Sequence, residues 1–188
     1  LPIVPKSSNF KEPLYEFLKK YALKLEDHIK LMSYCKKKKI EYLCTPFSLK
    51  AAEELLKIGV KFFKIGSGEM TDIPTLKKIS KFNLPMIIST GIAEIVDIEL
   101  AIEACKKVGN NDVTILKCTS AYPADPKDAN LLTIPDIKKR FDVKVGLSDH
   151  TMGIEGPVVA TALGATIIEK HFILDKSIGG ADAHFSLD

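Results

Sequence analysis

Two segments near the C-terminal end of the chain, Val145-Gly146-Leu147-Ser148-Asp149-His150 and Ile167-Ile168-Glu169-Lys170-His171-Phe172, each carry an apolar, β-branched run to an imidazole. If both are parallel strands, their ends lie at one edge of a sheet, where His150 and His171 can meet to hold one divalent metal. Alternation along an extended chain puts Ser148 and His150 on one face and Asp149 on the other, and makes Glu169 and His171 co-facial with Lys170 turned outward. On that reading Ser148 donates to a bound anion, Glu169 orients water beside the ligating imidazole, and Lys170 pairs with a neighbouring carboxylate. The competing reading of the first segment is a strand-end turn in which Asp149 caps the next stretch of chain. Two histidines are too few protein ligands for a structural zinc site. They suit a labile Mn²⁺, Mg²⁺ or Co²⁺ whose other positions are filled by water and substrate oxygens.

A second cluster, Lys64-Ile65-Gly66-Ser67-Gly68-Glu69, joins a cation, a hydroxyl and two glycines directly after a strand. Glycines let backbone amides approach an oxyanion closely, so the cluster reads as a phosphate or carboxylate cradle, though without the spacing of a nucleotide P-loop. The alternative for Lys64 is a structural side chain snorkelling from the sheet. Ser89-Thr90-Gly91 and Cys118-Thr119-Ser120-Ala121-Tyr122-Pro123 repeat the theme of hydroxyls after a strand. Arg140 is the sole arginine, so a bound phosphate must rely on lysine, hydroxyls and backbone N–H groups. His28 lies on a helical stretch apart from other ligand types and reads as solvent-exposed, and His184, beyond Gly179-Gly180-Ala181-Asp182, has no assigned role.

These groups need a scaffold. From about residue 40 onward, short β-branched runs alternate with stretches of helical period, the pattern of repeated βα units around a parallel sheet. Candidate strands are 41–44, 61–65, 85–89, 113–118, 143–147 and 166–172. Candidate helices are 48–58, 73–82, 94–108, 132–141 and 156–163, three of them closed by Gly59, Gly109 and Gly164. Upstream, 14–39 reads as one or two amphipathic helices with a break at Leu25-Glu26-Asp27-His28, and 1–10 as irregular loop.

Six strands fit either an open sheet or an incomplete (β/α)8 TIM barrel. Nearly every strand ends in polar, functional-type residues, which favours the barrel, because an open sheet concentrates such residues near one crevice. A barrel then lacks its first two βα units, expected upstream. The whole of 1–188 reads as a partial barrel domain, and the absence of an initiator methionine before Leu1-Pro2-Ile3-Val4-Pro5 suggests an excerpt of a longer polypeptide.

The 188 residues are 46% hydrophobic and 7% aromatic, enough for a sizeable core. The 27 Lys plus Arg against 24 Asp plus Glu leave +3, too little to imply nucleic acid or an anionic membrane as partner. Cys35, Cys44, Cys105 and Cys118 form no Cys-x-x-Cys pair and read as reduced core residues of a cytoplasmic protein. No run is long enough to span a membrane, and no secretory signal opens the chain.

Taken in order, Cys44-Thr45-Pro46-Phe47, Lys64-Ile65-Gly66-Ser67-Gly68-Glu69, Ile88-Ser89-Thr90-Gly91, Lys117-Cys118-Thr119-Ser120-Ala121-Tyr122-Pro123, Gly146-Leu147-Ser148-Asp149-His150-Thr151 and Glu169-Lys170-His171-Phe172 resemble the sialic acid synthase family. Members condense phosphoenolpyruvate with an N-acylated hexose to make nonulosonic acids. Ala121-Tyr122-Pro123-Ala124 and the 179–187 loop look closer to the pseudaminic acid synthases than to the neuraminate and legionaminate synthases, which tend towards Pro-Gly-Pro-Asp-His in that loop.

The resemblance implies a metal on His150 and His171. It also implies phosphoenolpyruvate contacts from Thr45, Lys64, Ser67, Ser89 and Ser148, and contacts to the acylamino sugar from Glu69, Tyr122 and Asp182. Ser120 stands where neuraminate synthases usually have asparagine. Further implications are upstream strands carrying a glutamate and a lysine for phosphoenolpyruvate, and a C-terminal antifreeze-like domain swapped across a homodimer. Two other readings stay open on the residues alone: a metal-independent aldolase with Lys64 or Lys117 as Schiff-base nucleophile, and a non-catalytic sugar-binding fragment.

Overall fold

The computed structural model describes residues 13–180 and 182–188, so the irregular loop expected at 1–10 lies outside the described residues. Helices α1 (Leu14–Tyr21) and α2 (Leu25–Lys37) precede a third helix, four βα units and a last strand. These are α3 (Leu49–Ile58), β1 (Phe63–Ile65), α4 (Ile73–Ser80), β2 (Met86–Ser89), α5 (Ile95–Lys106), β3 (Val113–Cys118), α6 (Thr133–Phe141), β4 (Lys144–Asp149), α7 (Glu155–Ala162) and β5 (Ile167–Lys170).

Local chemistry sets the helix ends. Ser48 Oγ accepts from Ala51 N at 3.1 Å to start α3, and Asp72 Oδ1 accepts from Thr75 N at 3.2 Å to start α4. Gly59 closes α3 at φ +92°, a conformation that strains any residue with a Cβ. The break between α1 and α2 falls at 22–24, upstream of its expected place. Asp27 Oδ2 accepts from Lys24 N at 3.3 Å, so its carboxylate starts a helix at Leu25 instead of interrupting one.

All five strands are parallel, and each pairs with the next in the order β1-β2-β3-β4-β5. Phe63, Ile65, Met86, Ile88, Val113, Ile115, Val145 and Leu147 face the helices, where Leu76, Ile79, Ile98, Ile102, Ile134 and Ile137 complete a continuous apolar layer. The intervening residues face the other way, as a period of two requires.

The sixth expected strand is absent from the described ladders: 41–44 forms no paired strand. It keeps a strand's alternation, with Tyr42 and Cys44 packed against the core and Glu41 and Leu43 exposed. Its anchor is a side-chain bond, 2.6 Å between Tyr42 Oη and His28 Nδ1, in place of ladder hydrogen bonds. His28 is therefore half-buried and engaged, contrary to its reading as a solvent-exposed residue.

The sheet curls. Lys64 Nζ on β1 lies 3.3 Å from Glu169 Oε2 on β5, although three strands separate them. In a flat sheet four interstrand steps of about 4.8 Å would hold these backbones roughly 19 Å apart. Gly146 marks the crowded concave face, where a Cβ would sit 2.4 Å from Ile167 O and 2.5 Å from Leu116 Cδ2. The architecture is an incomplete (β/α)8 barrel, and the open-sheet alternative is excluded.

Candidate active site

At the C-terminal ends of the strands, the concave face opens into a cavity of about 530 Å³. Thr45, Lys64, Ser67, Glu69, Ser89, Tyr122, Ser148, His150, Glu169 and His171 all line it, so that of the contacts the resemblance implies only Asp182 is not in its wall. Asp182 lies just behind His171, with its Oδ2 3.5 Å from His171 Nδ1.

The two histidines converge because β4 and β5 are in register, Ser148 opposite Glu169 and Asp149 opposite Lys170. Their ring centroids are 5.4 Å apart. His150 Nδ1 lies 2.8 Å from the carbonyl oxygen of Thr119, and Asp182 stands beside Nδ1 of His171, so on each ring Nε2 is the nitrogen left for a ligand. Two imidazoles presented this way at a polar cavity fit a divalent cation that takes its remaining ligands from water or substrate. No group of three or more His, Cys, Asp or Glu side chains arranged for a metal occurs among the described residues.

Around the histidines is an aromatic wall. The Tyr122 ring lies 4.1 Å from His150 and 6.0 Å from His171, and the buried Phe185 ring lies 4.8 Å from His171. Main-chain bonds bring the loops in. Ala124 N donates to His150 O at 2.9 Å, and Leu187 N donates to His171 O at 2.9 Å, folding 182–187 back over the end of β5.

The pKa shifts of the pair oppose each other. Burial depresses His171 below its ordinary range, with Asp182 acting the other way. Burial also pulls His150 down, but hydrogen bonds to Cys118 and to Thr119 O outweigh it and leave His150 raised. Burial pushes the Cys118 thiol up, yet bonding to His150, Ser67 and Ser148 leaves it below the ordinary thiol range.

The polar floor is a connected network. Ser148 Oγ donates to Glu169 Oε1 at 2.6 Å, and Lys64 supplies the cation on Oε2. Gly91 N donates to Ser67 Oγ at 2.8 Å. Ser89 Oγ, by contrast, is buried without a hydrogen-bond partner among the described residues, although Ser89 lines the cavity. A buried hydroxyl left unpaired costs about 1–3 kcal/mol. The expected cradle at Gly66 is partly filled from within, since Glu69 Oε2 occupies the place a Cβ would take at 2.4 Å.

Some assignments change. Lys117 lies on the opposite face of β3 and lines a separate cavity of about 750 Å³ with Thr90, Glu94 and Thr133, so it has no access to the histidines. Its ammonium donates to Cys118 O at 3.3 Å and to Thr119 Oγ1. Cys118 is no anonymous core thiol but part of the cavity wall, which alternation after Leu116 would have indicated. Phe185 and the Thr119 carbonyl carry no chemical signature in the sequence. Asp149 meets both of its readings, bonding Lys170 and capping the turn at Thr151.

A curled parallel sheet with its polar residues gathered at one mouth defines a segment of a (β/α)8 barrel. The chain belongs to the NeuB family, which residues 4–188 match. It is 43% identical over 178 residues to the pseudaminic acid synthase of Helicobacter pylori, covering 95% of this chain and 52% of that protein. It is also 43% identical over 179 residues to the N,N'-diacetyllegionaminic acid synthase of Campylobacter jejuni, covering 94% and 54%. The crystal structure of the N-acetylneuraminic acid (sialic acid) synthetase of Leptospira borgpetersenii, in complex with citrate, superimposes with a TM-score of 0.89 at 34% identity, over 92% of this chain and 60% of that one. The chain thus spans about half the length of the curated relatives it matches. No helix among the described residues is long and apolar enough to cross a membrane.

Proposed function

We propose that the complete polypeptide carrying this chain is a cytoplasmic nonulosonic acid synthase, active as a homodimer. It would condense phosphoenolpyruvate with an N-acylated hexose, with a pseudaminic acid precursor favoured, and release inorganic phosphate. The observation that carries the reading is the single cavity that holds two converging imidazoles, a lysine and an orphaned serine hydroxyl.

His150 and His171 would hold the divalent cation, Mn²⁺, Mg²⁺ or Co²⁺, which when bound acts as a Lewis acid on the aldehyde oxygen of the open-chain sugar. Lys64 and the hydroxyls of Thr45, Ser67 and Ser89 would fix the phosphate and carboxylate of phosphoenolpyruvate, so that its C3 faces the aldehyde carbon, and Ser148, whose proton goes to Glu169, would join them only by turning from that carboxylate. The enol C3 forms the new C–C bond. Glu169, oriented by Ser148 and Lys64, positions a water that adds at C2, and the C2–O bond to phosphate then breaks. Glu69, Tyr122 and Asp182 contact the acylamino sugar, with Asp182 also turning His171.

Equal identity to a legionaminic acid synthase supports a second reading, in which the sugar is a legionaminate or neuraminate precursor. The Schiff-base reading loses support because Lys117 faces away from the cavity and Lys64 is paired with Glu169. Mass spectrometry of the product formed from phosphoenolpyruvate and each candidate hexose tests the proposal. A product equal in mass to hexose plus pyruvate, with stoichiometric phosphate release, is expected. No condensation with any acylamino hexose overturns it and favours a non-catalytic sugar-binding role.

A further inference from the structure

Asp149 and Lys170 each immediately precede one of the two cavity histidines, and they are direct partners in the β4–β5 register. They are also the last residues of their strands, so each histidine leaves the sheet one step beyond the final ladder pair. Their side chains point away from the cavity and meet on the helix side of the sheet, Lys170 Nζ to Asp149 Oδ2 at 2.5 Å, 8% and 3% exposed. Lys170 Nζ also donates to Thr151 O at 2.6 Å, and Asp149 Oδ1 accepts from Thr151 N at 3.1 Å and Thr151 Oγ1 at 2.9 Å. Residues 149 and 151, on either side of His150, are therefore both tied to the residue before His171.

Packing keeps this ring closed. A Cβ at Gly156, in the first turn of α7, would lie only 3.3 Å from Asp149 Oδ1 and 3.4 Å from Thr151 Oγ1. Burying an ion pair brings little net stability over an apolar pair of the same size, because desolvation offsets the attraction. What a bonded pair adds at the end of a ladder is a fixed register.

We propose that the Asp149–Lys170 ion pair is a positioning device that sets the spacing of the His150 and His171 imidazoles, and through it the affinity of the site for a divalent cation. The proposal rests on the reading that these imidazoles hold the cation. Neither Asp149 nor Lys170 lines the cavity, so neither can coordinate a cation held there.

The test measures the Mn²⁺ dissociation constant of the complete polypeptide by electron paramagnetic resonance of the free ion, together with thermal unfolding and kcat at saturating Mn²⁺. The variants are the neutral double Asp149→Asn/Lys170→Met, the milder Thr151→Val, and His171→Ala as marker of the site itself. The double variant is expected to unfold cooperatively, to bind Mn²⁺ about tenfold more weakly, and to recover kcat when Mn²⁺ is saturating. Unchanged Mn²⁺ affinity in the folded double variant, with binding lost in His171→Ala, overturns the positioning role alone. Parental binding in His171→Ala overturns the metal reading and the proposal with it. Should the double variant not fold, Thr151→Val decides: a two- to threefold weakening supports the role, and parental affinity overturns it.

Discussion

His150 Nδ1 donates its proton to the carbonyl oxygen of Thr119 at 2.8 Å. A carbonyl can only accept, so this contact fixes the tautomer and leaves the Nε2 lone pair for a cation. His150→Ala is expected to abolish metal-dependent turnover of the complete polypeptide while the folded state persists. Activity assayed with and without chelator, alongside circular dichroism, checks this. Parental activity in folded His150→Ala would reject the role.

Ser89 separates binding from stability. Its hydroxyl is buried and unpaired among the described residues, so Ser89→Ala removes a destabilising group and should leave stability equal or up to about 1–3 kcal/mol higher. If the hydroxyl serves a charged ligand, the same change should raise KM for phosphoenolpyruvate about tenfold, the loss of one charge-assisted hydrogen bond. Thermal melts and initial rates read the two effects independently. A destabilised variant with unaltered KM would show that Ser89 only packs.

How much of this arrangement is legible in the sequence depends on the range of the interactions involved. Period two places Ser148, His150, Glu169 and His171 on one face and Asp149 and Lys170 on the other, because side-chain direction in a strand is a local property. The 41–44 run has a strand's composition without its ladder, because a ladder needs a partner and β propensity says nothing about whether one is available. Lys117 shares a motif with Cys118 but differs from it in parity, which turns its side chain to the other face of the sheet. Phe185 and the Thr119 carbonyl reach the site only through chain reversals, which leave no mark in residue type. Curvature is legible in the spread of polar strand ends, and the Lys64–Glu169 contact is its direct expression.

Gly91 is a position where size alone should matter. A Cβ there would fall 2.2 Å from Ser120 Oγ, 2.9 Å from Cys118 Sγ and 3.0 Å from Ser67 Oγ. Gly91→Ala should cost about 1–3 kcal/mol through overpacking and weaken phosphoenolpyruvate binding by displacing Ser67. Removing the nearest atom in Gly91→Ala/Ser120→Ala should restore part of the stability. A double-mutant cycle of denaturant unfolding checks the coupling, and strict additivity would mean the loop shifts elsewhere.

Tyr42 reports on the segment that carries Thr45 into the cavity. Burial, followed by the neighbouring Cys44 thiol, pushes its phenol from 10.0 up to about 12. Because the folded pKa is raised, the folded state holds the proton more tightly than the unfolded chain. This stabilising contribution is complete below pH 10.0 and is lost as pH climbs towards about 12. An alkaline titration followed by phenolate absorbance should therefore show a late step, Tyr42 ionising above the ordinary phenol value of 10.0. Tyr42→Phe should remove the late step and, by releasing His28, loosen the segment enough to raise KM for phosphoenolpyruvate through Thr45. If Tyr42 titrates at the ordinary phenol value of 10.0, the 41–44 segment is not docked as its burial requires.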